Sequence, residues 1–351
     1  LSAAPLAEDI APVSPVEAGA AFEGLSGETA LLVAVSGGPD SVALLALLAA
    51  WAQMPGRPAL HAATVDHGLR PGSAEEAAAV AGLCAKLGVS HATLRWEGAK
   101  PASRVQAEAR RARYALLANE ARRLCSATLV TAHTLDDQAE TMLMRLAHGS
   151  GPSGLAGMRE RSEVDGIPLV RPLLGIPKER LVATAEARGL PFVRDPSNRD
   201  PRFERVRWRE VMPVLAEQGL TAERLGRLAE RMARLDEAAA HRASKIFVEA
   251  VLPNEAAGSR LRLDFSALVV EPEEIVLRVL GLALDAVRPE GEGYGRLERL
   301  EACGAVLIEA ARAGSTARRT LSGCVLSLGR DGVLTLQAEP PRRRGVHPSA
   351  S

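Results

Sequence analysis

The chain predicts an α/β fold in which a parallel sheet carries helices on both faces, followed by a helical linker and a smaller α+β region. Three observations lead there. Short apolar runs alternate with long Ala-, Leu- and Arg-rich segments through the first half of the sequence, the strand-then-helix alternation of a parallel sheet. The run Leu31–Val35 is apolar throughout, as expected of a strand covered on both sides. The polar strings Ser36–Ser41, Asp66–Arg70 and His133–Asp137 each follow such a run, and open parallel sheets place ligands beyond the carboxyl ends of their strands.

Taken in order, the first strand breaks into Ser36-Gly37-Gly38-Pro39-Asp40-Ser41 and resumes as a helix to Trp51. Ala59–Val65 reads as a second strand, Ser73–Leu87 as a helix stopped by Gly88, and Ser90–Trp96 as a third strand. Ser103 opens a helix to about Leu124, Thr128–Ala132 is a fourth strand, and Asp136–His148 is a helix closed by Gly149-Ser150-Gly151-Pro152. Leu169–Val170 reads as a last strand and Pro177–Arg188 as a helix. Past Asp195-Pro196-Ser197-Asn198 the pattern turns helical, with Phe203–Leu215 and a long Thr221–Val251. Mixed short segments follow: Leu261–Phe265, an amphipathic Glu273–Val287, a helix at Leu297–Ala313, and strands at Thr320–Leu328 and Val333–Gln337. The resulting division is 1–29 as a poorly ordered lead-in, 30–217 as the catalytic domain, 218–338 as a helical and α+β region, and 339–351 as a basic disordered tail.

Composition narrows the class. With 351 residues and 47% hydrophobic content the chain buries a substantial core in two or three domains. No apolar stretch reaches the roughly 18–20 residues of a membrane helix. Leu1–Thr29 has acids but no Lys or Arg, the wrong charge for a signal peptide. Cys84, Cys125, Cys303 and Cys324 stand far apart with no CxxC pair, so inert thiols in a reducing cytoplasm are expected in place of disulfides or a metal centre. Positive and negative residues balance at 43 each, which excludes a uniformly basic nucleic-acid binder. Arginine nevertheless clusters at Arg104–Arg123, Arg199–Arg209, Arg224–Arg242 and Arg342-Arg343-Arg344, as phosphate-holding patches or as solvated helix faces.

Two strings carry chemistry. Gly37 and Gly38 let the backbone bend with its N–H groups turned inward, and the positive end of the following helix adds to that field, which makes an anion site. No lysine follows the glycines, so the loop is not of the GxxxxGK[ST] kind. In Thr131–Thr141, Asp136, Asp137 and Glu140 gather within one turn of a helix start. Mg²⁺ commonly joins one or two such acids to substrate phosphates, while an acidic first turn alone gives the same spacing. His133, just ahead, is open to a general acid/base role or a purely positioning one.

The loop resembles the SGGxDS pyrophosphatase (PP-loop) motif of enzymes that split ATP into AMP and pyrophosphate. Together with Val65-Asp66-His67-Gly68-Leu69-Arg70, Arg110 to Tyr114, Ala132 to Met158, Arg171-Pro172-Leu173-Leu174 and Asp195-Pro196-Ser197-Asn198-Arg199-Asp200, it resembles the tRNA(Ile)-lysidine synthases. The likeness spans about Ala30 to Leu215, with the motifs in the family's order. It implies a Rossmann-like PP-loop ATPase fold and ATP-dependent adenylation of the wobble cytidine of the CAU-anticodon isoleucine tRNA. Free L-lysine then displaces AMP. In this frame Ser36, Gly37, Gly38, Pro39, Asp40 and Ser41 bind ATP, Asp40 and Asp137 hold Mg²⁺, and Arg113, His133, Asp40 and Asp137 serve catalysis. Asp137 or Glu140 receives the lysine ammonium, with the division of metal and lysine duties among Asp136, Asp137 and Glu140 left open. Arg205, Arg207 and Arg209 contact tRNA, and the region after Gln218 grips the tRNA body. A cytoplasmic enzyme follows, and a homodimer is compatible with the sequence.

Two positions depart from the pattern: Thr134 replaces a histidine, and Val206 stands where asparagine is expected. The rival readings are another PP-loop enzyme, a tRNA thiolase or amidating ligase, and a noncatalytic nucleotide-sensing RNA-binding protein. The missing CxxC pairs count against a thiolase, and the intact Asp40, Asp136, Asp137 and Glu140 against a decayed site.

Overall fold

Burial of β-strand residues on both sides organises the first half of the molecule. The computed structural model describes residues 10–68, 72–98, 105–125, 127–194, 200–253, 260–288 and 297–339. Leu69, Arg70, Ser103, Arg104, Asp195–Arg199 and the Arg342-Arg343-Arg344 tail therefore lie outside the described residues. After α1 (Pro15–Phe22) the chain runs β1 (Ala30–Ala34), α2 (Pro39–Ala52), β2 (Ala59–Asp66), α3 (Ser73–Lys86), β3 (Ser90–Arg95), α4 (Val105–Arg123) and β4 (Thr128–Val130). It continues through α5 (Leu135–Ala147), α6 (Pro152–Leu155), β5 (Arg161–Val164), β6 (Ile167–Val170), α7 (Lys178–Ala187), α8 (Glu204–Glu217) and α9 (Ala222–Ala250).

The strands form one six-stranded sheet in the order β3-β2-β1-β4-β6-β5, parallel except for β5. Along β1 the side chains alternate between two cores. Leu31, Val33 and the following Val35 belong to a cluster with Leu44, Leu48, Val80, Leu181 and Phe22, while Ala30, Leu32 and Ala34 pack with Tyr114, Leu117, Ala118 and Ala121 of α4. The apolar run seen in sequence is thus a two-sided strand.

Three readings of the sequence change. Pro15–Phe22 is a helix, not part of a poorly ordered lead-in. Ser14 and Glu17 form a capping box, Pro15 sits in the first turn, and fully buried Phe22 meets Trp51 edge-on at 5.8 Å. Arg180 forks onto Glu17 at 2.7 and 2.9 Å, and the Val13 N–H donates to Thr184 Oγ1 at 2.8 Å. The strand at Leu169–Val170 is one arm of a hairpin whose turn, Asp165-Gly166, has φ of 48° and 75°. Likewise Thr320–Leu328 divides into two strands at Ser322-Gly323, again with both φ positive, 49° and 68°. Positive φ at both central residues is the geometry that matches strand twist in two-residue hairpins.

The chain separates into two compact units, one comprising residues up to Gly149 with Gly154–Arg231, the other Ser150–Ser153 with everything from Met232. The first unit thus runs past Gln218 into α9. The second contains β7 (Val251–Leu252), β8 (Arg260–Asp264), α10 (Phe265–Leu268), α11 (Glu273–Val287), α12 (Leu297–Arg312), β9 (Ala317–Leu321), β10 (Cys324–Leu328) and β11 (Val333–Ala338). Its antiparallel sheet has the order β7-β8-β11-β10-β9, and Leu263, Phe265, Leu280, Leu284, Leu307 and Leu326 lie in its core. Among the described residues no helix is long and apolar enough to cross a membrane.

Candidate active site

The strand order reverses at β1, which lies between β2 and β4. The loops leaving β1 and β4 therefore part at a crevice, the usual ligand position in an open sheet. In the first loop Gly37 takes φ 80°, a left-handed conformation that a side chain would strain, and its carbonyl accepts the Val193 N–H at 2.9 Å. Buried Ser41 closes the turn: its Oγ accepts the Ser36 N–H at 3.1 Å and donates to the Gly38 carbonyl at 3.0 Å. Gly38 is the N-cap of α2 and offers no capping side chain, so the first-turn N–H groups of α2 remain available to an anion. Ser36, Gly38, Asp40, Ser41, Arg113 and His133 line one cavity of about 100 Å³.

The second loop brings the acids. Thr134 is fully buried and caps α5, its Oγ accepting the Asp137 N–H at 3.3 Å. In return Asp137 Oδ2 accepts both the Thr134 N–H and its hydroxyl at 3.0 Å. The residue that departs from the family pattern thus has a definite task, holding Asp137. Burial alone pushes the Asp137 carboxyl up, but the Thr134 N–H and the Arg205 and Lys178 cations outweigh it and hold the carboxyl below its ordinary range. Asp137 Oδ1 lies 3.7 Å from Arg205 Nη1. Glu140, 3% exposed, takes Arg209 Nε and Nη2 on one oxygen at 2.8 Å each, while its Oε2 is buried without a hydrogen-bond partner. Burial raises the Glu140 carboxyl against the pull of Arg209.

Asp40 receives a partner that the sequence did not announce. Lys178 Nζ stands 2.5 Å from Asp40 Oδ2, and the Lys178 N–H donates to Asp136 Oδ2 at 2.7 Å. Burial pushes the Asp40 carboxyl up, Lys178 opposes this, and the nearby charges of Asp137 and Asp136 add to the rise. Asp40 Oδ1 is buried and makes no hydrogen bond. One sequence signal does mark Lys178: it is the first residue of a helix, where a cation opposes the helix dipole and needs a compensating acid.

His133 Nδ1 lies 2.9 Å from Thr131 Oγ1. Burial lowers its pKa to about 3 despite Asp137, and Arg171, Arg113 and Arg205 lower it further, so the ring is neutral near neutral pH. Arg113 is half-buried, burial disfavours its charge, and no carboxylate pairs with it among the described residues. An anion would meet an uncompensated guanidinium there.

The three arginines proposed for tRNA separate. Arg205 and Arg209 are one helical turn apart and engage Asp137, Thr141 and Glu140. Arg207 is exposed and donates to the Pro201 and Arg202 carbonyls at 3.1 and 3.2 Å. Asp66 turns inward on its own chain, its Oδ1 accepting the Gly68 N–H at 2.9 Å.

Among the described residues no three His, Cys, Asp or Glu side chains form a ready-made metal cage. Mg²⁺ requires less, one or two carboxylate oxygens beside substrate phosphates, and the unpartnered buried Asp40 Oδ1 fits that need.

A glycine-bent loop and an uncapped helix start at the reversal point of a parallel sheet make an anion site, and the family described as PP-loop domain matches residues 15–215, which places the chain in the PP-loop class. The U34-tRNA thiolase NcsA from Methanococcus maripaludis shares the fold, with a TM-score of 0.53 at 19% identity over 63% of this chain and 79% of that one. Two tRNA(Ile)-lysidine synthases are much nearer in sequence. That of Methylobacterium nodulans is 50% identical over 90% of this chain and 92% of its own length, and that of Bradyrhizobium sp. 43% identical over 96% and 98%. The chain belongs to the tRNA(Ile)-lysidine synthase family, ATP-dependent ligases that form a carbon–nitrogen bond.

Proposed function

We propose that the chain adenylates the wobble cytidine of the CAU-anticodon isoleucine tRNA and joins free L-lysine to it, in the cytoplasm and with Mg²⁺ accompanying ATP. The observation that carries this reading is a pair of neighbouring helix starts, α2 and α5, with opposite characters. The uncapped α2 start and Arg113, unpaired among the described residues, suit phosphates, and half-buried Asp137 and buried Glu140 in the same unit suit an ammonium. ATP and lysine are substrates with those two charges.

In the first half-reaction the cytidine O2 attacks the α-phosphorus as the bond to the bridging oxygen breaks and pyrophosphate leaves. Backbone N–H groups from Gly37 to Ser41 hold the phosphates, and Arg113 takes up charge on the departing pyrophosphate, a role worth several kcal/mol in such sites. Asp40 and Asp137 would hold Mg²⁺, which would supply neutralisation of phosphate charge. In the second half-reaction an amino nitrogen of lysine, in its neutral form, attacks C2, the C2–O bond breaks to release AMP, and the nitrogen gives its surplus proton to water. Asp137 and Glu140 orient the lysine. His133, neutral and hydrogen-bonded to Thr131, positions rather than donates a proton. Arg205 and Arg209 set the charge of the two acids, Arg207 contacts tRNA phosphate, and the chain beyond 218 holds the tRNA body.

Labelled lysine, ATP and bulk tRNA test the reading: AMP and pyrophosphate release should require lysine and tRNA together, with label in one nucleoside. Turnover that needs a sulfur donor or glutamine instead of lysine refutes it. Asp40→Asn should abolish adenylation while melting and tRNA retention stay those of the parent, and preserved activity removes Asp40 from the site.

A further inference from the structure

The roles above engage Asp40, Asp137 and Glu140 and leave Lys178 without a task. Its position is unusual. As the first residue of α7 it places an ammonium at the positive end of a helix dipole, an arrangement that needs acids nearby. Those acids come from two other helix starts: Asp40 from the first turn of α2 through the side chain, and Asp136 from the first turn of α5 through the Lys178 peptide N–H. A further bond, Leu135 N–H to the Ile176 carbonyl at 3.0 Å, ties the same two segments. Three helix N-termini are thereby joined at one residue.

The division of Asp40's oxygens shows what the junction does. Lys178 takes Oδ2, whereas Oδ1 is buried and empty-handed. An unmade bond at a buried carboxylate oxygen is costly, so Oδ1 marks where a ligand atom belongs, and the ammonium on the other oxygen need not leave for it to arrive. As a partly exposed ion pair, with side chains 39% and 18% exposed, the contact is a weak stabiliser. Its worth lies in orientation.

We propose that Lys178 is a positioning residue for adenylation: it pins Asp40 by one oxygen so that the other is presented to the divalent cation of the ATP complex, and fixes Asp136 through its backbone at the same time. This rests on the proposed function, in which Asp40 serves the cation.

The test uses the full-length protein with a non-hydrolysable ATP analogue and Mn²⁺, read by electron paramagnetic resonance, so no turnover is needed. Lys178→Met should weaken Mn²⁺ binding by about 10- to 100-fold, the range found when a partner of a metal ligand is removed. Lys178→Arg should restore part of it, and the half-saturating Mg²⁺ for AMP release should rise in step. Melting temperature should fall only slightly, because Asp40 is more exposed than a fully buried acid, and tRNA retention should match the parent, as a general loss of structure would not allow. Unchanged Mn²⁺ binding in Lys178→Met overturns the proposal and makes the pair a bystander. Tighter binding also overturns it, by making Lys178 a competitor for Asp40. Parent-like Mn²⁺ binding in Asp40→Asn overturns it by removing the cation from Asp40. Absence of lysine-dependent AMP release in the parent condemns the functional reading alone, since the Mn²⁺ measurement stands apart from it.

Discussion

Replacing Arg209 by methionine tests whether the acid on α5 depends on the helix that faces it. Arg209 places Nε and Nη2 at 2.8 Å from a single Glu140 oxygen, and the Glu140 side chain is only 3% exposed. Arg209→Met therefore strands a buried carboxylate whose second oxygen already lacks a partner. Removing one member of a buried pair costs about 3–5 kcal/mol. Because Arg209 is itself 40% exposed, the lower end applies, about 3 kcal/mol. At about 2–4 °C per kcal/mol for a domain of this size, melting should fall by about 6–12 °C. Adding Glu140→Gln should recover much of the loss, since the stranded charge is then gone. The pH dependence has a definite sign. Glu140's folded-state pKa already lies above its ordinary 4.5 because of burial, and losing Arg209 raises it further. The folded form then binds more protons than the unfolded one, so the deficit of Arg209→Met grows as pH rises above 4.5 and shrinks in acid. Calorimetry of the two single variants and the double across pH reads all three effects. An Arg209→Met protein that melts with the parent at neutral pH refutes the reasoning, and so does a deficit that deepens in acid.

Two other predictions concern the N-terminal helix. Phe22→Ala empties a fully buried, edge-on contact with Trp51 and should cost about 3–5 kcal/mol in denaturant unfolding; an unshifted midpoint would return α1 to the status of an appendage. The Glu17 carboxyl is held down to about 2 by the Arg180 fork and by Ser14, so its contribution is complete above its ordinary 4.5 and fades as pH falls toward 2. Glu17→Gln should accordingly melt below the parent at pH near 6, with the two curves converging in acid, and a gap independent of pH contradicts the pairing.

What the sequence disclosed and withheld follows from the range of the interactions. β1 and its loop were legible because a two-sided strand leaves an unbroken apolar run and the bend needs glycine. The acids of α5 were legible because they lie within one turn. Arg205 and Arg209 share a face by helical period, which places Arg207 elsewhere, so their separation was latent in the spacing. Asp165-Gly166 is a strong hairpin signal, yet its arms are only four residues each and hid beside longer elements. The pairings of Lys178 and of α1 were not legible. The partner of Lys178 stands 138 positions away and the Arg180 partner of Glu17 163 positions away, and no local pattern records such pairings.

The loop that marks this class is short, but its shape is borrowed from afar. A fragment ending after α5 would contain the whole of Ser36–Ser41 and the acids to Glu140, and would be scored intact by any reader of strings. It would lack Lys178, which secures Asp40 and Asp136, and Val193, whose N–H anchors the Gly37 carbonyl. Grafting the loop into another sheet meets the same shortfall. The smallest piece able to hold the loop in working form therefore extends at least to Val193, long after its own letters have ended.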